Sequence, residues 1–231
     1  MDDDTGRRVV VTGGTGALGT AVVGRLLASG AAVTVPVYHD RELVHFPFAD
    51  RVTLVHDADL TDEATVARVY GEATADGPLW ASIQVAGGFT MGDLEHSTVA
   101  DVQRMWSMNA LSCWLCCREA VRRIGDAGGR LVNIAARPAL VPTAGVSAYA
   151  MSKAAVAALT TSLAEELAPR GIFVNAVVPS IIDTPANRQA MPDAPHDRWP
   201  TPDELAATIT FLASAANQAT RGALVPVYGR S

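Results

Sequence analysis

The stretch RRVVVTGGTGALGTAVVGRLLASG, residues 7–30, decides the fold. Its opening, RRVVVTG, is a short β-branched run closed by a glycine, the pattern of a buried strand. Its second part, GALGTAVVGRLLASG, carries apolar residues at helical spacing and stops at Gly30. Between them, Gly13, Gly14, Gly16 and Gly19 permit a tight turn. They also let backbone N–H groups approach an anion at the start of the helix. In this order, strand, glycines and helix point to a dinucleotide pyrophosphate; a plain tight turn is the competing reading.

The same alternation continues outward. Strands are expected at residues 31–38, 51–60, 79–88, 129–136, 171–179 and 222–229. Helices are expected from Thr61 as N-cap, from about Ser97, over residues 145–167, and from Thr201 as N-cap with Pro202 at the first helical position. Pro36 sits awkwardly in the second strand. Regular alternation implies one α/β domain over residues 1–231, a doubly wound, seven-stranded parallel sheet flanked by helices. Residues 180–200, SIIDTPANRQAMPDAPHDRWP, break the pattern with four prolines. A long loop after a strand at the carboxyl edge of such a sheet is expected to act as a lid.

Composition agrees. Of 231 residues, 49% are apolar and only 6% aromatic, so the core is expected to be aliphatic. The formal net charge is −6 and no Lys/Arg run occurs, which gives no support for a nucleic-acid or membrane partner. Cys113, Cys116 and Cys117 are too close together for a disulfide framework or a four-ligand zinc site. They are expected as reduced thiols in a helix contact, and no metal is expected. The acidic start MDDDTGRR is not a signal sequence, and no apolar run spans a bilayer, so a cytoplasmic location is expected.

Three further features bear on chemistry. Asp59 ends the third strand, where a carboxylate accepts from an adenine amino group or, alternatively, caps the following helix. VAGG, residues 85–88, ends the fourth strand and leaves room for a cofactor close to the backbone, or simply forms a strand-terminating turn. Tyr149 and Lys153 are four apart and share a helix face, a pairing suited to proton transfer; core packing and a solvated ion pair are the bland alternatives.

Taken together, the glycine turn at residues 12–19, Asp59, AGG, Asn109, Tyr149-x-x-x-Lys153 and PSIIDTP occur in the order seen in short-chain dehydrogenases/reductases. The resemblance covers essentially the whole chain. It implies a Rossmann-type fold and NAD(P)-dependent oxidoreduction of a small molecule. Ala17 stands where the family commonly has glycine, Val85 where asparagine is usual, and Ala136 at the catalytic serine position. QVAGGF, ARPALVPTAGVSAYAMSKAAV and DTPANRQAMP resemble the dihydropteridine reductase branch, which also lacks the serine.

The resemblance assigns the site. Tyr149 is implied as proton donor, Lys153 as holder of the nicotinamide ribose and the cation that lowers the Tyr149 pKa, and Asn109 as holder of a relay water. Cofactor contacts are implied at Gly13, Thr15, Gly16, Leu18, Gly19, Asp59, Leu60, Ala86, Gly87, Tyr149, Lys153, Pro179, Ile182 and Thr184. Ser147 and Thr143 are candidate replacements for the missing hydroxyl, although surface roles suit both better. Val37 occupies the position of the family's coenzyme-selecting carboxylate, and His39 or Arg41 could meet a phosphate. NADP(H) is therefore expected over NAD(H), with Asp40 keeping NAD(H) open. A homodimer or homotetramer, paired through the helices bearing Asn109 and Tyr149, is implied. A cofactor-binding subunit or sensor with little catalysis is the alternative function.

Overall fold

The structure is a computed structural model that describes residues 4–231; the first three residues of the acidic start lie outside the described residues. Seven parallel strands form one sheet: β1 (Arg8–Thr12), β2 (Ala32–Pro36), β3 (Thr53–Val55), β4 (Leu79–Gln84), β5 (Gly129–Ile134), β6 (Ile172–Pro179) and β7 (Leu224–Val227). Their spatial order is β3-β2-β1-β4-β5-β6-β7. The order reverses between β1 and β4, so a crevice opens there at the carboxyl ends of the strands.

The helices are α1 (Ala17–Ala28), α2 (Glu63–Ala73), α3 (Val99–Met105), α4 (Ser112–Arg123), α5 (Ser147–Leu167), α6 (Pro185–Ala190) and α7 (Pro202–Ala213). Two apolar cores result. One joins α2, α4 and α5 to one sheet face, and the other joins α1 and α7 to the opposite face. Strand residues alternate between them: Val10 and Leu131 face the first, Val9, Val11 and Val132 the second. Both faces are covered, which explains the continuous apolar runs read in the sequence.

Local chemistry sets the boundaries. α1 stops because Gly30 takes φ +85°, allowing Ala31 N–H to reach Leu26 O and Gly30 N–H to reach Leu27 O. Thr201 caps α7 reciprocally with Glu204. Two expected starts shift. The N-cap of α2 is Asp62, which accepts from Thr65 N–H, whereas Thr61 is bonded to Asp59. The next helix is capped by Thr98, whose partner is Asp101. Pro36 is tolerated because β1 and β2 pair only as far as Thr34.

Residues 180–200 are not featureless. They contain α6 and a short 3₁₀ turn at His196–Arg198. Both ends are tied down: Asp183 N–H donates to Pro200 O at 2.9 Å, and Arg230 N–H to Arg198 O at 2.8 Å. Trp199 is buried beside this anchor.

Candidate active site

The glycines at residues 13–19 do different jobs. A Cβ on Gly13 would lie 2.7 Å from Ala86 N, and one on Gly14 2.8 Å from the Val35 side chain. On Gly19 it would fall inside the carbonyl of Gly13. These three are required by packing. Gly16 differs: a Cβ there meets only Gly13 O, at 3.5 Å, and otherwise faces open space. Gly16 is also the N-cap of α1, supplies no side-chain cap, and is followed by no acid in the first turn. The opening N–H groups of α1, including Leu18, are left for an external anion. A dinucleotide diphosphate fits this cradle.

β4 delivers its end against that turn. Thr12 Oγ1 accepts from Ala86 N–H at 3.2 Å, which fixes residues 85–88 beside the glycines. Asn109 holds the same segment from the other side. Between α3 and α4 the helix widens to a π-type turn, Trp106–Leu111, that carries Asn109. Its Oδ1 accepts from Gly88 N–H at 2.9 Å and its Nδ2 donates to Gly88 O at 3.0 Å. Nδ2 also donates to Ser152 Oγ at 3.0 Å. The side-chain amide thus clamps Gly88 to α5.

α5 supplies Tyr149 and Lys153. Lys153 is 6% exposed, and its Nζ donates to Ile134 O at 2.8 Å, at the head of β5. Gly87 is close by; a Cβ on it would lie 3.3 Å from Lys153 Nζ. Burial lowers the Lys153 pKa to about 8. Tyr149 is half-buried, its ring edge-on to Phe89 with centroids 4.9 Å apart. Burial pushes its pKa up to about 12. The shift thus runs opposite to the lowering expected from Lys153, whose ammonium donates to Ile134 O. A phenol that stays protonated suits proton donation.

The other expected residues have these local partners. Asp59 Oδ1 accepts from the N–H and hydroxyl of Thr61, at 2.9 and 2.7 Å, and does not cap α2. Leu60 packs against the core beside it. Pro179 ends β6 opposite Val227. Ile182 is partly buried, and Thr184 caps α6 through Asn187 N–H. Ala136 is buried just past β5. Ser147 is exposed, and Thr143 donates to Val141 O, as surface roles require. Cys113, Cys116 and Cys117 are buried residues of α4; Cys117 Sγ meets Gln84 and Asn133. Trp114 on the same helix is 44% exposed. Among the described residues no group of three or more His, Cys, Asp or Glu is placed to hold a metal, and no helix is long and apolar enough to cross a membrane.

Residues 7–195 match the family model for short chain dehydrogenase. The chain belongs to the short-chain dehydrogenase/reductase family. It is 37% identical to galactitol 2-dehydrogenase of Rhizobium johnstonii, over 96% of this chain and 93% of that protein. It is 32% identical to a 3-alpha-(or 20-beta)-hydroxysteroid dehydrogenase of Mycobacterium bovis, over 97% and 88%. A short-chain dehydrogenase/reductase structure from Serratia marcescens superposes with a TM-score of 0.88 at 31% identity, covering 98% of both chains. One from Mycobacterium ulcerans gives 0.90 at 25%, covering 98% and 90%. The family binds NAD(P) and carries out oxidoreduction.

Within this family member, three site residues escaped the sequence reading. Ser152 looks like any helix serine, Phe89 like a loop aromatic, and Glu42 like a surface acid. Ser152 links Asn109 to Tyr149, Phe89 touches the Tyr149 ring, and Glu42 meets the glycine turn. The position of Ser152 beside Lys153 was the only signal available.

Proposed function

We propose that this protein reduces a conjugated, quinonoid or carbonyl small molecule with hydride from NAD(P)H, Tyr149 supplying the proton. The observation that carries it is the convergence of Lys153, Asn109 and half-buried Tyr149 at the strand ends beside an open glycine cradle. A bound nicotinamide dinucleotide supplies the hydride. Gly13, Thr15, Gly16, Leu18 and Gly19 would take its diphosphate, and Asp59 and Leu60 its adenine. Ala86 and Gly87 would give it backbone room, Lys153 would hold ribose hydroxyls, and Pro179, Ile182 and Thr184 would meet the nicotinamide end. Tyr149 then gives its proton to the substrate atom that gains charge as hydride arrives, completing a two-electron reduction.

Ala136 bears on the substrate. A serine there would donate to a carbonyl oxygen, and losing one such donor typically costs about 10²–10³ in rate. A conjugated ring, such as the quinonoid pterin that the dihydropteridine reductase-like segments suggest, spreads the charge and needs that donor less. The names of the galactitol and hydroxysteroid relatives favour the ordinary carbonyl side of the proposal. For the coenzyme, Val37 and exposed Arg41 favour NADP(H), while the carboxylate of Glu42 weighs against it.

Trp106, Trp114 and Met151 expose apolar surface on the helices expected to pair, in support of a dimer or tetramer that sedimentation would detect. The functional test is NAD(P)H oxidation against quinonoid pterins, quinones and ketones. Turnover with at least one class is expected. Tight dinucleotide binding with no turnover on any would instead assign a binding-only role.

A further inference from the structure

We propose that Glu42 selects the coenzyme, excluding the 2′-phosphate of NADP(H) and making NAD(H) the form used. This rests on the dinucleotide-binding function proposed above and reverses the preference expected from Val37 and Arg41. In doubly wound folds the adenosine ribose lies at the end of the second strand, where a carboxylate accepts from its 2′-hydroxyl. Val37 cannot serve. Its side chain is fully buried, and its backbone is held by Val55 O and Ala58 N–H.

The carboxylate arrives from the next turn instead. The 3₁₀ segment Asp40–His45 folds back toward the glycines. Glu42 Oε2 accepts from Thr15 Oγ1 at 3.1 Å, and Oε1 accepts from His39 N–H at 3.2 Å. Two bonds from two segments, the glycine turn and the exit of β2, therefore fix one negative charge between them. Neighbouring charges do not neutralise it. Among the described residues neither Glu42 nor Arg41 forms an ion pair, and Asp40 is engaged with His56 at 2.8 Å. A phosphate monoester carries about −1.5 to −2 charges at neutral pH and would meet Glu42 as a like charge, whereas a hydroxyl would find an acceptor.

Quenching of tryptophan fluorescence by NADH and by NADPH, on the parent and on Glu42→Gln, tests this. Glutamine keeps the shape and an oxygen for Thr15 while removing the charge. The parent should bind NADH at least about tenfold more tightly than NADPH, and Glu42→Gln should narrow the gap to about threefold by tightening NADPH. A parent that binds NADPH as tightly as NADH overturns the proposal without any variant. So does an unchanged ratio in Glu42→Gln; both results leave dinucleotide binding intact. Binding of neither coenzyme by the parent overturns the proposed function as well.

Discussion

Asn109 and Ser152 meet side chain to side chain: Asn109 Nδ2 donates to Ser152 Oγ at 3.0 Å, and Ser152 passes a hydrogen bond to Tyr149 O at 2.7 Å. With the two bonds from Asn109 to Gly88, this connects the end of β4 to the first turn of α5. Tyr149 is therefore positioned, through Ser152, by an amide on a different helical segment. Asn109→Ala should lower stability by about 2–4 kcal/mol in urea unfolding, because the part-buried N–H and C=O of Gly88 and the buried Ser152 hydroxyl all lose their partner. Ser152→Ala should cost only about 1 kcal/mol. A loss for Asn109→Ala no larger than that for Ser152→Ala would refute the clamp.

The glycines should separate folding from binding. Gly16→Val puts a side chain into open space, so the protein should stay folded while dinucleotide affinity drops at least about tenfold. Gly19→Ala collides with the Gly13 carbonyl, so it should lose stability first. Calorimetry for folding and titration for binding check both, and parental affinity in folded Gly16→Val would displace the diphosphate from this turn.

Burial of Lys153 predicts a pH signature. Its folded pKa is about 8 against an ordinary value near 10.5, so the unfolded chain holds more protons between those pH values. This residue's contribution to stability therefore rises with pH across that window, and its cost is full below it. Lys153→Met should be more stable than the parent at pH 7, by up to about 3 kcal/mol less roughly 1 kcal/mol for the lost Ile134 bond. The advantage should shrink from pH 8 to 10.5. Subtracting the two unfolding curves cancels other titrations, and a variant less stable at pH 7 contradicts the assignment. Reduction by the parent should fall as pH passes 8 and the ammonium is lost.

Tyr149→Phe removes the proton donor and should lower turnover about 10²–10⁴-fold on any true substrate. Ala136→Ser should raise kcat/KM on a simple ketone by up to about 10²–10³-fold, yet change little on a conjugated ring. Parental turnover in Tyr149→Phe would end its assignment as donor.

Residues 180–200 are proposed as a lid, but one hinged between fixed ends at Asp183 and Trp199–Pro200. Hydrogen exchange within α6 should slow when coenzyme and substrate are both present. Equal rates with and without saturating ligands would leave the segment a static wall.

Much of the fold was legible because it rests on local physics. Alternating Val-rich and Ala/Leu-rich runs, the glycine turn, Gly30 and the Thr201 cap each act within a few residues, and together they specify a parallel sheet covered on both faces. Tyr149 and Lys153 were likewise visible as a pair on one helix face. The partners of those residues were not. Asn109 reaches Gly88 across 21 positions and Ser152 across 43, and Thr15 meets Glu42 across 27. No local propensity encodes such contacts; they follow from packing helices and turns against the finished sheet. The same packing decides titration. The spacing of Tyr149 and Lys153 suggests a cation that acidifies a phenol, but the tertiary structure buries Lys153, half-buries Tyr149 and gives the ammonium Ile134 O as a partner. Sequence by itself determined which titratable groups share a helix face. Burial and hydrogen-bond geometry, set only when distant segments meet, decided their surroundings and which carboxylate stands at the glycine turn.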